Sequence, residues 1–77
     1  MDLQFMNWKP DADVFGEAAG LAFGSRVLDL VVTHGDKTFP WEVVDGCDSI
    51  ASGTAASADE ARRAAETAGR RAFIRAA

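Results

Sequence analysis

GTAASADEARRAA, residues 53–65, is the stretch in which a run of small residues passes directly into a capped helix. Ser57 and Glu60 form an S-x-x-E capping box, in which the serine oxygen and the glutamate carboxylate each satisfy a free backbone amide. A helix over residues 57–75 follows. Ala58, Ala61, Ala65, Ala68 and Ala72 recur every three or four positions and make one stripe, with Ala64, Gly69 and Phe73 at its margins. Side chains this small let a helix lie close on a sheet. The opposite face carries Asp59, Arg63, Glu66 and Arg70, spaced for ion pairs from Asp59 to Arg63 and from Glu66 to Arg70.

Upstream of the helix the period changes from 3.6 to 2. In VLDLVVT, residues 27–33, Leu28, Leu30 and Val32 share one side while Asp29 and Thr33 take the other, the pattern of a strand. His34, Gly35, Asp36 and Lys37 supply turn chemistry, and Phe39, Trp41 and Val43 then alternate with Glu42 in a second strand. Pro40 cannot donate a ladder hydrogen bond, which restricts it to the strand's start, a bulge or an edge. Asp45 and Gly46 turn the chain into a third strand over residues 49–55. Residues 11–21 place Val14, Ala18 and Leu21 at helical spacing, against a cost of about 1 kcal/mol for each of Gly16 and Gly20; a short helix is expected. Residues 1–10, with Leu3, Phe5, Met6 and Trp8, form an edge strand or an apolar arm. The expected fold is an α+β domain spanning residues 1–77: a three-stranded antiparallel sheet, with an optional N-terminal edge strand, and a long C-terminal helix packed on one face, in αβββα order.

At 77 residues the chain is one small domain. Cys47 is the only cysteine, which rules out an intrachain disulfide and leaves no Cys/His set for structural zinc. No metal or cofactor is expected. No apolar run approaches the roughly 20 residues of a membrane span, and the first residues carry acids where an export signal needs bases. A protein of the reducing cytoplasm is the expectation. Before Ser57, the bases Lys9, Arg26 and Lys37 face nine acids, a local charge of −6; from Ser57 onward five arginines face three acids, a local charge of +2. Duplex binding normally needs a positive excess, because affinity comes largely from neutralising phosphates. An acidic body can be drawn to the basic groove of a nucleic-acid-handling protein, and moderate acidity also simply keeps a small domain soluble.

No reaction centre assembles from these residues. His34 is the only histidine and no G-x-S-x-G elbow is present. Asp45 and Asp48 offer too few oxygens for a calcium loop. Gly16, Gly20 and Gly24 make neither a dinucleotide fingerprint nor a P-loop. Trp8, beside the Lys9-Pro10 step, is a candidate partner contact, whereas Trp41 alternates with strand residues and reads as internal. Arg63, Arg70, Arg71 and Ile74 form a second candidate surface on the helix.

Residues 11–73, read as helix, three strands and helix, resemble the double-stranded RNA-binding domain, whose second half supplies the matching motif. The family pattern K-x-F, strand, G-x-G-x-S-K-K-x-A and an alanine pair is matched by Lys37-Thr38-Phe39, Gly53, Ser57, Ala61, Ala64 and Ala65. The resemblance implies an αβββα fold and duplex RNA contacts through Lys37, Arg62, Arg63 and Glu17, with His34 echoing a loop histidine. Two of the family's phosphate-holding lysines are replaced by Ala58 and Asp59. The same sheet-plus-helix plan is similar to HicB-type antitoxin domains and to small phage proteins, including anti-CRISPR inhibitors. That resemblance implies a non-catalytic inhibitor, working as a monomer or dimer in a bacterial host, that covers the basic nucleic-acid-binding surface of a CRISPR effector complex. Asp11, Asp13, Glu17, Asp29, Asp36, Glu42, Asp45, Asp48 and Trp8 are then the expected partner-facing residues. An antitoxin-like partner of a small toxin is the remaining alternative.

Overall fold

In the computed structural model, which describes residues 3–76, alternating apolar residues build a sheet and the alanine-faced helix closes one side of it. Five strands, β1 (Leu3–Asp11), β2 (Gly16–Phe23), β3 (Arg26–Thr33), β4 (Phe39–Asp45) and β5 (Asp48–Ala55), precede one helix, α1 (Ala58–Ala76). The sheet is an antiparallel meander in which spatial order equals chain order. The α+β class and the C-terminal helix agree with the sequence reading. The strands expected at 27–33, 39–43 and 49–55 are β3, β4 and β5, and the helix boundaries differ by one residue. Glu60 N–H donates to Ser57 Oγ at 3.2 Å, the cap that the sequence indicates.

The N-terminal quarter departs from the expected order. Residues 11–21 form no α-helix: a single 3-10 turn (Ala12–Val14) leads into β2. The sheet therefore has five strands instead of three plus an edge, and the αβββα order becomes five strands followed by a helix. The reason lies in the alternation. Glu17, Ala19 and Leu21 are all buried on the helix side, while Ala18, Gly20 and Ala22 take the opposite side. A helix would carry Gly16 and Gly20 at a cost, whereas a strand flanked by β1 and β3 gains a ladder on each side. Of segment 1–10, residues 1 and 2 lie outside the described residues, and the rest is edge strand β1, not an arm. A bulge sets Asn7 and Trp8 together opposite Ala19, which turns the Trp8 indole toward the helix.

Gly24 (φ 64°) and Gly46 (φ 65°) take the left-handed backbone at the first position of two-residue hairpin loops. The core lies between the sheet and α1. Leu21, Leu28, Leu30, Val32 and Val43 are fully buried there, each contributing on the order of 1.5–3 kcal/mol. The deepest line of the helix is Ala61, Ala65, Gly69 and Phe73, so Gly69 and Phe73 sit at the centre of the stripe and not at its margin. A Cβ on Gly69 would lie 3.1 Å from both Leu21 and Leu30 Cδ2, which is how closely the helix rides on the sheet. Trp41 takes the space above Gly53, where a Cβ would come within 2.8 Å of the indole ring.

Candidate functional site

Glu17 is the only buried charged residue among those described, and three elements converge on it. It follows the bend at Phe15 and enters β2 in phase with Ala19 and Leu21, so its carboxylate is carried to the helix side. There it meets a bidentate Arg62 guanidinium from α1, with Nε on Oε1 and Nη2 on Oε2 at 2.9 Å. His34, from the loop after β3, places Nε2 at 2.7 Å from Oε2, a contact in which the proton resides on Nε2 because an ionised carboxylate only accepts. Arg62 Nη1 also reaches Asp59 Oδ1 at 2.6 Å. The Arg62 guanidinium holds the Glu17 carboxyl below its ordinary value of 4.5; burial acts in the opposite sense and the His34 hydrogen bond assists. The same pairing raises Arg62 further.

A groove of about 690 Å³ opens beside this cluster, lined by Asn7, Trp8, Lys9, Pro10, Gly16, Glu17, His34 and Arg62. Its lining holds no hydroxyl or thiol nucleophile, and both Glu17 oxygens are already engaged. What the arrangement does is fasten helix, strand and loop together. Trp8 extends the fastening: its Nε1–H donates to Glu66 Oε2 at 2.9 Å, and Glu66 Oε1 lies 3.7 Å from Arg70.

The uncovered face of the sheet is a different kind of surface. Between Ala18, Val31, Val44 and Val14 lies a depression of about 420 Å³, with Asp11, Asp29 and Glu42 at its rim. None of these three acids takes part in an ion pair among the described residues. The Asp11 side chain also caps the 3-10 turn, accepting Asp13 N–H at 3.0 Å. Among the described residues no set of three His, Cys, Asp or Glu side chains is close enough to hold a metal ion.

The acids and tryptophan expected to face a partner thus separate into two groups. Asp11, Asp29 and Glu42 share the open face, and Asp13, Asp36 and Asp48 are exposed in or beside turns. Glu17, Asp45 and Trp8 are engaged internally, Asp45 with Arg26 at 2.7 Å. Of the basic residues suggested by the RNA-binding resemblance, Arg62 is committed to Glu17 and Asp59, Lys37 is exposed in the loop after β3, and Arg63 points to the other flank of the helix. The sequence reading passed over Phe15. This residue is 79% exposed, yet it adopts a left-handed φ of 55°. Its N–H donates to Ala12 O at 3.2 Å and its carbonyl accepts His34 N–H at 3.0 Å, so the strained bend is pinned from both sides.

Fold and site together define a small α+β protein, a five-stranded meander under one helix. No helix among the described residues is long and apolar enough to cross a membrane. No known protein family matches the chain, and no curated protein or solved structure matches it either.

Proposed function

We propose that the protein is a non-catalytic binding module whose open, acid-rimmed sheet face covers a basic nucleic-acid-binding surface of another protein. The carrying observation is the depression on that face, where Asp11, Asp29 and Glu42, free of ion pairs among the described residues, surround an apolar floor of Val14, Ala18, Val31 and Val44. Basic surfaces are built from arginine and lysine, whose heads need carboxylates and whose aliphatic stems need apolar contact; this face supplies both. Phe15, exposed at the bend that precedes β2, adds an aromatic of the kind that anchors interfaces. The chain's net charge of −4 assists encounter with a cationic partner. The specific instance is an inhibitor of anti-CRISPR type that occludes the nucleic-acid channel of an effector complex.

The test is affinity capture from a bacterial host lysate with the wild type and with Asp29→Lys/Glu42→Lys, each with and without nuclease, the bound proteins being identified by mass spectrometry. A nucleic-acid-binding protein retained after nuclease by the wild type and lost by the double variant is the expected result. Capture that ignores the charge reversal, or that disappears on nuclease treatment, would overturn the reading.

A further inference from the structure

An open groove lies on the far flank of the helix, between α1 and strands β4 and β5, and it has the opposite charge to the rest of the chain. It measures about 790 Å³, within the size range of small-molecule sites. Every charged side chain that lines it is an arginine: Arg26, Arg63 and Arg71. In a chain of net charge −4 this is a local inversion.

The inversion is produced by how the helix distributes its acids. Helical spacing pairs Asp59 with Arg63, but the structure gives Asp59 to Arg62 at 2.6 Å. Glu66 turns to Trp8 and Arg70 on that same flank. Arg63 and Arg71 therefore take part in no ion pair among the described residues, and both are exposed. They stand two helical turns apart, about 12 Å along the axis, with the Thr67 hydroxyl midway between them on the same ridge. Arg26, held by Asp45 at 2.7 Å and lying 5.6 Å from the Phe73 ring centroid, closes one end. The facing wall is apolar, with Trp41 and Ile50.

We infer that this groove is a binding site for a free nucleotide, its phosphates taken by Arg63 and Arg71 and its base lying against Trp41 and Ile50. Guanidinium groups meet phosphate oxygens through paired N–H donors, and two unpaired arginines on one ridge can converge on a di- or triphosphate. Indole offers a flat face for a purine ring. A free nucleotide fits better than a nucleic-acid strand, because a long polyanion would extend past the groove into the field of the acidic body. This site is independent of the open sheet face.

The experiment is titration of the ¹⁵N-labelled chain with ADP, alongside inorganic phosphate and a single-stranded oligothymidylate. Saturable shifts at Trp41, Ile50, Arg63, Thr67 and Arg71 are expected for ADP, with weaker effects from phosphate. Arg63→Gln/Arg71→Gln should lose at least about tenfold in affinity, the scale expected for two charge-assisted contacts, with its melting temperature unchanged because both side chains are exposed. Arg70→Gln, on the other flank, should bind ADP like the wild type. No saturable shift up to about 1 mM ADP, the weak end of specific affinity, would overturn the inference. So would ADP binding that the double variant retains, ADP and phosphate binding equally, or oligothymidylate binding where ADP does not.

Discussion

The two faces of the sheet are made by the same five strands, and they differ in what each strand sends to them. Toward the helix go Leu21, Leu28, Leu30, Val32 and Val43, all fully buried. Away from it go Ala18, Gly20, Ala22, Val31 and Val44, interrupted by Asp29 and Glu42. The first set is sized to fill the space beneath an alanine-faced helix. The second is too small and too charged to hold a second layer, but it leaves a shallow acid-rimmed hollow. One face therefore carries most of the stability, and the other is free to be shaped by a partner.

The strongest break in this contrast is a cavity on the covered side. Leu30→Ala should lower the unfolding free energy by about 3 kcal/mol, measured by urea denaturation, while Val44→Ala on the open face should cost less than about 1 kcal/mol. If the two losses were equal, the division of labour between faces would be wrong. Next comes Gly53→Ala, whose Cβ would press on the Trp41 ring at 2.8 Å; overpacking of this kind costs about 2 kcal/mol and should shift the tryptophan fluorescence.

Glu17→Gln tests the one place where the covered side holds a charge. Removing one partner of this part-buried pair should cost about 1–2 kcal/mol, less than for a fully buried pair because Arg62 keeps partial access to water. The pH dependence has a definite sign. Glu17 titrates lower when folded than its ordinary 4.5, so its contribution is complete above that value and is lost as pH falls through the folded value. The stability gap between wild type and Glu17→Gln should therefore be full at pH 7 and narrow in acid below about pH 4. Phe15→Gly should act in the opposite direction, stabilising the fold by up to about 1 kcal/mol because glycine accepts the left-handed φ without penalty. A more stable variant that binds its partner less well would mark Phe15 as a contact residue. The smallest effect belongs to Asp29→Lys/Glu42→Lys, whose change in stability should stay within about 0.5 kcal/mol, which makes it a clean probe of binding.

Strands β3 to β5 and the helix were legible because their signals are strong and local: branched residues in alternation, Asp-Gly at a turn, and a serine cap ahead of an alanine stripe. β2 was not, because GEAAGLAF, residues 16–23, offers little contrast between its faces. Alanine is at home in a helix and on either side of a sheet, so the choice rests with the neighbouring strands, which local sequence does not encode. The Glu17 cluster was hidden behind that choice. Once β2 is a strand, Glu17 falls in phase with Ala19 and Leu21 and its burial becomes readable; its partners, 17 and 45 residues away, do not. The arginine groove was hidden for a similar reason. Asp59 has both Arg62 and Arg63 within helical reach, and it pairs with the arginine that Glu17 holds from β2.

The plain meander also bears on how the chain reaches its native state. Each strand pairs only with the strand before or after it, so the whole sheet can grow by zipping successive hairpins, each a microsecond-scale event closing a short loop. The helix alone must bridge the chain's ends, through side-chain links at sequence separations of 45 and 58 residues. Docking of α1 therefore closes the longest loops in the fold and carries the largest loop-closure cost. If the links to α1 form late in folding, stopped-flow measurements on Glu17→Gln should show faster unfolding with little change in the refolding rate, and the helix amides should lose hydrogen-exchange protection first.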